Sequence, residues 1–107
     1  MSKNIIVVGG GAAGMLAAYF AAEAGNKVAL LEKNEKLGKK IYITGKGRCN
    51  LTNACDVEEL FLNVKSNSKF LYSAFYGFDN SQVIDFFESH GMPVKVERGN
   101  RVFPVSD

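Results

Sequence analysis

Residues 5–32 restrict what this chain can fold into more than any other stretch, because they read strand, glycine turn, helix, strand, acid in that order. Ile5, Ile6, Val7 and Val8 make a continuous β-branched run, the pattern of a parallel strand buried on both faces. Gly9, Gly11 and Gly14 follow at G-x-G-x-x-G spacing. Such glycines allow, in turn, a tight turn, close approach of backbone to a pyrophosphate, and close packing of helix on strand. Ala17, Ala18, Ala21 and Ala22 keep the helix slim enough to lie on a sheet, and Gly25 ends it. Lys27–Leu31 is then a second strand, with Glu32 at its carboxyl end, eighteen residues after Gly14. A carboxylate there accepts hydrogen bonds from both hydroxyls of an adenosine ribose and disfavours a 2′-phosphate. The order predicts a nucleotide-binding βαβ unit, for FAD or NAD before NADP. A glycine-rich turn in an unrelated α/β protein would leave the position of Glu32 to chance.

At 107 residues the chain is one domain at most, and an apolar fraction of 47% is ordinary for a globular protein. A complete dinucleotide domain needs further parallel strands, since a lone parallel pair leaves its edges and apolar faces in water. The expected class is therefore α/β: a Rossmann-like βαβ half followed by a helical and β-hairpin segment, an incomplete domain at the amino-terminal end of a larger protein. The net charge of +2, with both signs intermixed, gives no reason to expect nucleic acid or an anionic membrane as partner. Residues 5–22 carry no charged side chain, but three consecutive glycines break them as a membrane span or signal peptide. Two cysteines without an export signal point to the reducing cytoplasm.

Residues 33–40 are polar and lysine-rich, include Gly38, and lack any helical or strand period. Beyond them, Ile41, Tyr42 and Ile43 suggest a short extended segment, and residues 44–48 a glycine-permitted loop whose backbone amides can face an anion. A Walker A loop is excluded, because Gly38 falls too far before Gly45 and Gly47 replaces the required hydroxyl. Asn50, Thr52 and Asn53 can hydrogen-bond either a heterocycle or their own backbone, and both remain open.

After Asn53 the pattern turns helical. Asp56 with Glu59 suggests a capping box opening a helix that carries Val57, Leu60, Phe61 and Val64. Phe70, Leu71, Ala74, Phe75 and Phe78 recur at helical spacing as an aromatic core stripe. A second box at Asp79 and Gln82 opens a helix through Phe86 and Phe87 that stops at Gly91, with His90 a capping or solvent-facing side chain in its last turn. Val94–Glu97 and the strand through Val102 and Phe103 suggest a hairpin with Gly99 and Asn100 as a two-residue turn. Residues 1–54 thus read as the cofactor-binding half and 55–107 as the helical and hairpin segment.

The segments VVGGGAAG, LLEK and TGKGRCNLTN, with FYGF and FFESHGMPVKVERGNRVFP further on, resemble bacterial NAD(P)/FAD-dependent oxidoreductase flavoproteins of the BaiN and RdsA type, also described as aminoacetone oxidase-like. The resemblance extends over nearly the whole chain but only the amino-terminal part of such proteins. It implies a tightly held FAD, with Gly9, Gly11, Ala12, Ala13 and Gly14 along the pyrophosphate, Glu32 on the adenosine ribose and Lys33 near the adenine. It further implies that Lys40, Gly45, Arg48, Cys49 and Asn50 line the path toward the isoalloxazine. The planar cation of Arg48 suits a phosphate or an electron-rich ring edge, the alternative being a solvated arginine. Lys46 departs from the family pattern, which carries glycine or another small residue there.

The implied function is the FAD-binding portion of a flavin-dependent oxidoreductase fed by NAD(P)H or an organic substrate, with the catalytic acid and base unassigned. The competing expectation is a non-catalytic adenine-nucleotide-binding or interaction module. In isolation the chain is expected to self-associate or pair with the missing remainder of the enzyme. Cys49 and Cys55 do not match the spacing of a disulfide-reductase redox pair, and a small loop residue and a buried thiol are expected. A single histidine far from both gives no metal set.

Overall fold

A computed structural model describes residues 2–106, which divide into a first unit ending at Gly47 and a second beginning at Arg48. Thr52 and Asn53 form a short strand paired with Val102 and Arg101. That pairing assigns the loop after Gly47 to the second unit.

In the first unit, β1 (Asn4–Val8) and β2 (Lys27–Leu31) pair in parallel, Asn4 opposite Lys27 and Val8 opposite Leu31. The connection is α1 (Ala12–Glu23), which packs on both strands. Alternate residues Ile5, Val7, Val28 and Leu30 are half-buried, whereas Ile6, Val8 and Leu31 are 66%, 82% and 54% exposed. One face is covered where the β-branched run predicts two, because a single helix lies on a two-stranded sheet. Covering each bare aliphatic side chain fully would contribute about 1.5–3 kcal/mol. Ala18 and Ala21 are half-buried, while Ala17 and Ala22 face solvent. At the helix end the Gly25 N–H donates to the Ala22 carbonyl at 2.9 Å. Asn26 then ties the helix to the sheet: its Nδ2 donates to the Ala21 carbonyl at 2.9 Å and its Oδ1 accepts from the Lys3 N–H at 3.0 Å.

Ile41, Tyr42 and Ile43 form a 3-10 turn rather than an extended segment, and Thr44, Gly45 and Lys46 then leave helical geometry. The turn is built on the Gly38 carbonyl, which accepts from the N–H groups of Ile41 and Tyr42 at 3.0 and 3.3 Å. Local hydrogen bonding to that carbonyl outweighs the strand propensity of Ile41, Tyr42 and Ile43. Lys46 follows with φ 57°, a left-handed conformation that costs any side chain with a Cβ, so glycine suits the position better.

The second unit joins an antiparallel sheet to α2 (Val57–Leu62), a 3-10 turn (Ser68–Leu71), α3 (Tyr72–Gly77) and α4 (Asn80–Ser89). Its strands β3 (Thr52–Asn53), β4 (Val94–Glu97) and β5 (Arg101–Pro104) lie in the order β3-β5-β4. The central strand supplies the core, Val102 and Phe103 being 0% and 1% exposed. The hairpin turn has three residues, Arg98–Asn100, rather than two, with Glu97 opposite Arg101, and both Gly99 and Asn100 take positive φ. Asp79 and Gln82 form the expected capping box, with both bonds at 2.8 Å. Asp56 occupies an N-cap position without a side-chain cap bond, so the first box is not made. No member of the aromatic stripe is fully buried: Leu71, Phe75 and Phe78 are half-buried, Ala74 is exposed and Phe70 is 81% exposed, while Phe61 packs on Phe75 from the neighbouring helix. His90 lies at the carboxyl end of α4, exposed, with Nδ1 2.7 Å from the Phe86 carbonyl.

Candidate functional site

The turn between β1 and α1 separates the three glycine roles. Gly9 has φ 104°, open to glycine, and its N–H extends the strand pairing by donating to the Leu31 carbonyl at 2.8 Å. At Gly14 a Cβ would lie 1.7 Å from the Gly9 carbonyl oxygen, so helix and turn approach as only glycine permits. At Gly11 a Cβ would have no atom within 4 Å. Gly11 is the N-cap of α1 without a side-chain cap, and the first turn carries no acidic residue. The amino end of α1, with exposed Ala12 and Ala13, therefore has no side-chain cap and no acid of its own in the first turn, a place where an anion is favoured.

Glu32 is placed beside this turn by the end of β2. Its Oε1 accepts from the Gly10 N–H and its Oε2 from the Asn34 N–H, both at 2.8 Å. These two bonds, Asn34 first, and the neighbouring Lys33 charge hold its carboxyl below the usual value of 4.5. The group is anionic at neutral pH, and the two backbone amides leave it acceptor capacity for a further donor. Val8, Gly9, Leu30, Leu31, Glu32, Lys33 and Asn34 line an open cleft of about 770 Å³ at the carboxyl ends of both strands. Apolar walls and one carboxylate suit an adenosine, and crevices at the carboxyl ends of parallel strands are where such sheets bind ligands.

Gly9, Gly11, Ala12, Ala13, Gly14, Glu32 and Lys33 are thus brought together. Lys40 and Gly45 lie in the same unit, on the segment after Gly38. Arg48, Cys49 and Asn50 belong to the second unit. There Arg48 makes a bidentate pair with Glu97 at 3.1 and 2.6 Å, and its guanidinium stacks 4.1 Å from the centre of the Phe103 ring. The pair holds the Glu97 carboxyl below its usual range, the Arg48 hydrogen bonds contributing most. Arg48 is thus a paired, partly exposed cation. Asn53 satisfies backbone, its Nδ2 donating to the Gly99 carbonyl and its Oδ1 accepting from the Cys55 N–H, both at 3.0 Å. Cys49 and Cys55 are free and half-buried. Burial, then the charge of Glu59, pushes the Cys55 thiol up, which keeps it in its unreactive protonated form.

Sequence reasoning missed Gly10, Asn34, Leu37 and Asn80. Gly10 stood as a filler position of the motif, and its run of three glycines was the available signal. Asn80 is buried and donates to the carbonyls of Asn53 and Cys55 at 2.6 and 2.7 Å, a contact invisible before the fold is known. Among the described residues no helix is long and apolar enough to cross a membrane.

A parallel βαβ unit with a glycine turn and a charged acid after the second strand defines the class of dinucleotide-binding α/β proteins. Within it, the chain belongs to the family described as HI0933-like protein Rossmann domain, which matches residues 3–107. It is 37% identical over 107 residues to the 3-dehydro-bile acid delta(4,6)-reductase of Clostridium scindens, covering 98% of this chain and 25% of that protein. It is 38% identical over 89 residues to the ribosomal RNA dihydrouridine synthase of Escherichia coli, covering 83% of this chain and 22% of that one. A shorter match, 51% over 39 residues, joins 36% of the chain to 8% of the L-amino-acid oxidase of Naja atra. The chain spans about a quarter of the length of the first of these and less of the others. The domain is of the kind found in oxidoreductases.

Proposed function

We propose that this chain is the FAD-binding, amino-terminal portion of a flavin-dependent oxidoreductase. The observation that carries the reading is the pairing of an uncapped, glycine-opened helix end with an ionised Glu32 that lines an open cleft at the carboxyl ends of both strands. In this reading the amino end of α1 takes the pyrophosphate, with Gly11 leaving room for it. Glu32 takes the ribose hydroxyls through its remaining acceptor capacity, and Lys33 lies beside the adenine. When bound, the flavin supplies the redox chemistry, and this chain's residues bind and orient it. The acid at position 32 supports an adenosine without a 2′-phosphate. NAD(P)H as electron donor and a cytoplasmic location complete the reading. Further chain, or a second copy, covers the bare face carrying Ile6, Val8 and Leu31.

Expression of the full coding sequence that contains this chain tests the proposal. The purified protein should be yellow and release FAD, identified chromatographically, on denaturation. A folded protein that neither retains nor takes up added FAD overturns it.

A further inference from the structure

Gly10 is buried, and both of its backbone polar groups are held by residues at or after the end of β2. Its N–H donates to Glu32 Oε1 at 2.8 Å, and its carbonyl accepts from the Gly38 N–H at 2.8 Å. Gly38 is itself buried, with φ 66°, and a Cβ there would sit 3.1 Å from Met15 Cε on α1. Beside it, Leu37 fills the space that a Gly10 side chain would take: a Cβ at Gly10 would lie 2.4 Å from Leu37 Cδ2. The segment that reads as a plain polar linker is therefore fastened to the glycine turn.

We propose that Leu37 and Gly38 are positioning residues for the nucleotide site, which aim the Gly11 N–H at the ligand's pyrophosphate. The Gly10 carbonyl and the Gly11 N–H belong to one peptide unit, and no cis bond occurs among the described residues. In a trans peptide these two groups point in opposite directions. Fixing the carbonyl on Gly38 therefore fixes the direction of the Gly11 N–H, at the residue where space is left for a ligand. A carbonyl that accepts a hydrogen bond also polarises its peptide, making the same unit's N–H a stronger donor. Leu37 holds Gly38 in place by packing against Gly10. The inference rests on the nucleotide-binding reading but concerns residues outside the glycine motif.

A double-variant cycle tests it in the protein expressed from the full coding sequence. Leu37→Ala removes the packing, and Gly10→Ala pushes a methyl into the place of Leu37 Cδ2. Together the new methyl occupies the vacated space, leaving the 3.2 Å approach to the Glu32 side chain as the tightest contact. The ligand probe is ADP, which carries adenosine and pyrophosphate without flavin, followed by FAD. Each single variant should weaken ADP binding about tenfold, and the double variant should recover most of it. Amide exchange at Gly38 should accelerate in both single variants and slow again in the double. Additive losses of affinity, or lowered thermal stability with unchanged ADP affinity, overturn the proposal. Wild-type protein that binds ADP but not FAD defeats the flavin reading alone, and wild-type protein that binds neither defeats both.

Discussion

Two glycines three positions apart in the same turn should fail in different ways when given a methyl group. In Gly14→Ala the new Cβ would start 1.7 Å from the Gly9 carbonyl oxygen, where real Cβ contacts stay above 3.0 Å, so the backbone must part by at least 1.3 Å, the difference. The displaced Gly9 also donates to Leu31, so the end of the strand pairing moves with it. Because a backbone atom rather than a flexible side chain must retreat, the loss belongs at the upper end of overpacking costs, about 3 kcal/mol or more. In a protein of a few hundred residues that lowers Tm by roughly 6 °C or more. In Gly11→Ala the methyl enters open space, and the N-cap exchange costs up to about 1 kcal/mol. Its effect falls on the ligand, whose phosphate can no longer come close to the backbone. Losing a hydrogen bond to a charged group, about 1.5–3 kcal/mol, raises the Kd for FAD roughly 10- to 150-fold. Thermal unfolding of the apoproteins and FAD titration by fluorescence separate the two. A Gly14→Ala variant with wild-type Tm, or a Gly11→Ala variant with wild-type FAD affinity, refutes this division of roles.

Other perturbations follow from the same geometry. Glu32→Gln should weaken FAD retention and flatten the acid limb of stability: the folded-state pKa lies below 4.5, so the stabilisation is complete above 4.5 and is lost as pH falls through the depressed value. Tm measured from pH 3 to pH 7, about the range of carboxylate titration, checks this, and identical acid limbs would count against it. Arg48→Met removes the bidentate pair with Glu97 and the stack on Phe103 and should lower thermal stability. Loss of FAD from Arg48→Met with unchanged Tm would instead make Arg48 a cofactor contact. Asn80→Ala leaves the carbonyls of Asn53 and Cys55 without their donor and should cost about 1–3 kcal/mol for each one that water does not reach, measured by urea denaturation. Wild-type stability in that variant would mean water satisfies both.

The legible part of the fold was the part encoded by neighbours in sequence. The βαβ order, both strands of the first unit, the Asp79 capping box and the positive φ of Gly99 and Asn100 depend on residues a few positions apart. The misread parts depended on partners elsewhere. Ile41, Tyr42 and Ile43 have strand propensity, but the Gly38 carbonyl draws them into a 3-10 turn. Thr52 and Asn53 are a strand because Val102 and Arg101 lie beside them, and nothing in a two-residue segment announces that. Phe70 keeps helical spacing with half-buried neighbours yet remains in solvent, since periodicity marks a face without saying what packs on it.

The amino-acid sequence by itself determined the class of site: three spaced glycines and an acid after the second strand define a dinucleotide cradle through local turn geometry. Tertiary structure alone decided which atoms are committed within it. Glu32 is bound by the Gly10 and Asn34 amides, Gly10 is held by Gly38, and Arg48 is turned to Glu97 and Phe103. Except for the local turn from Asn34 to Glu32, these contacts join groups far apart along the chain. Backbone spacing constrains a turn from within, but hydrogen-bond partners and packing neighbours exist only once the chain has closed on itself.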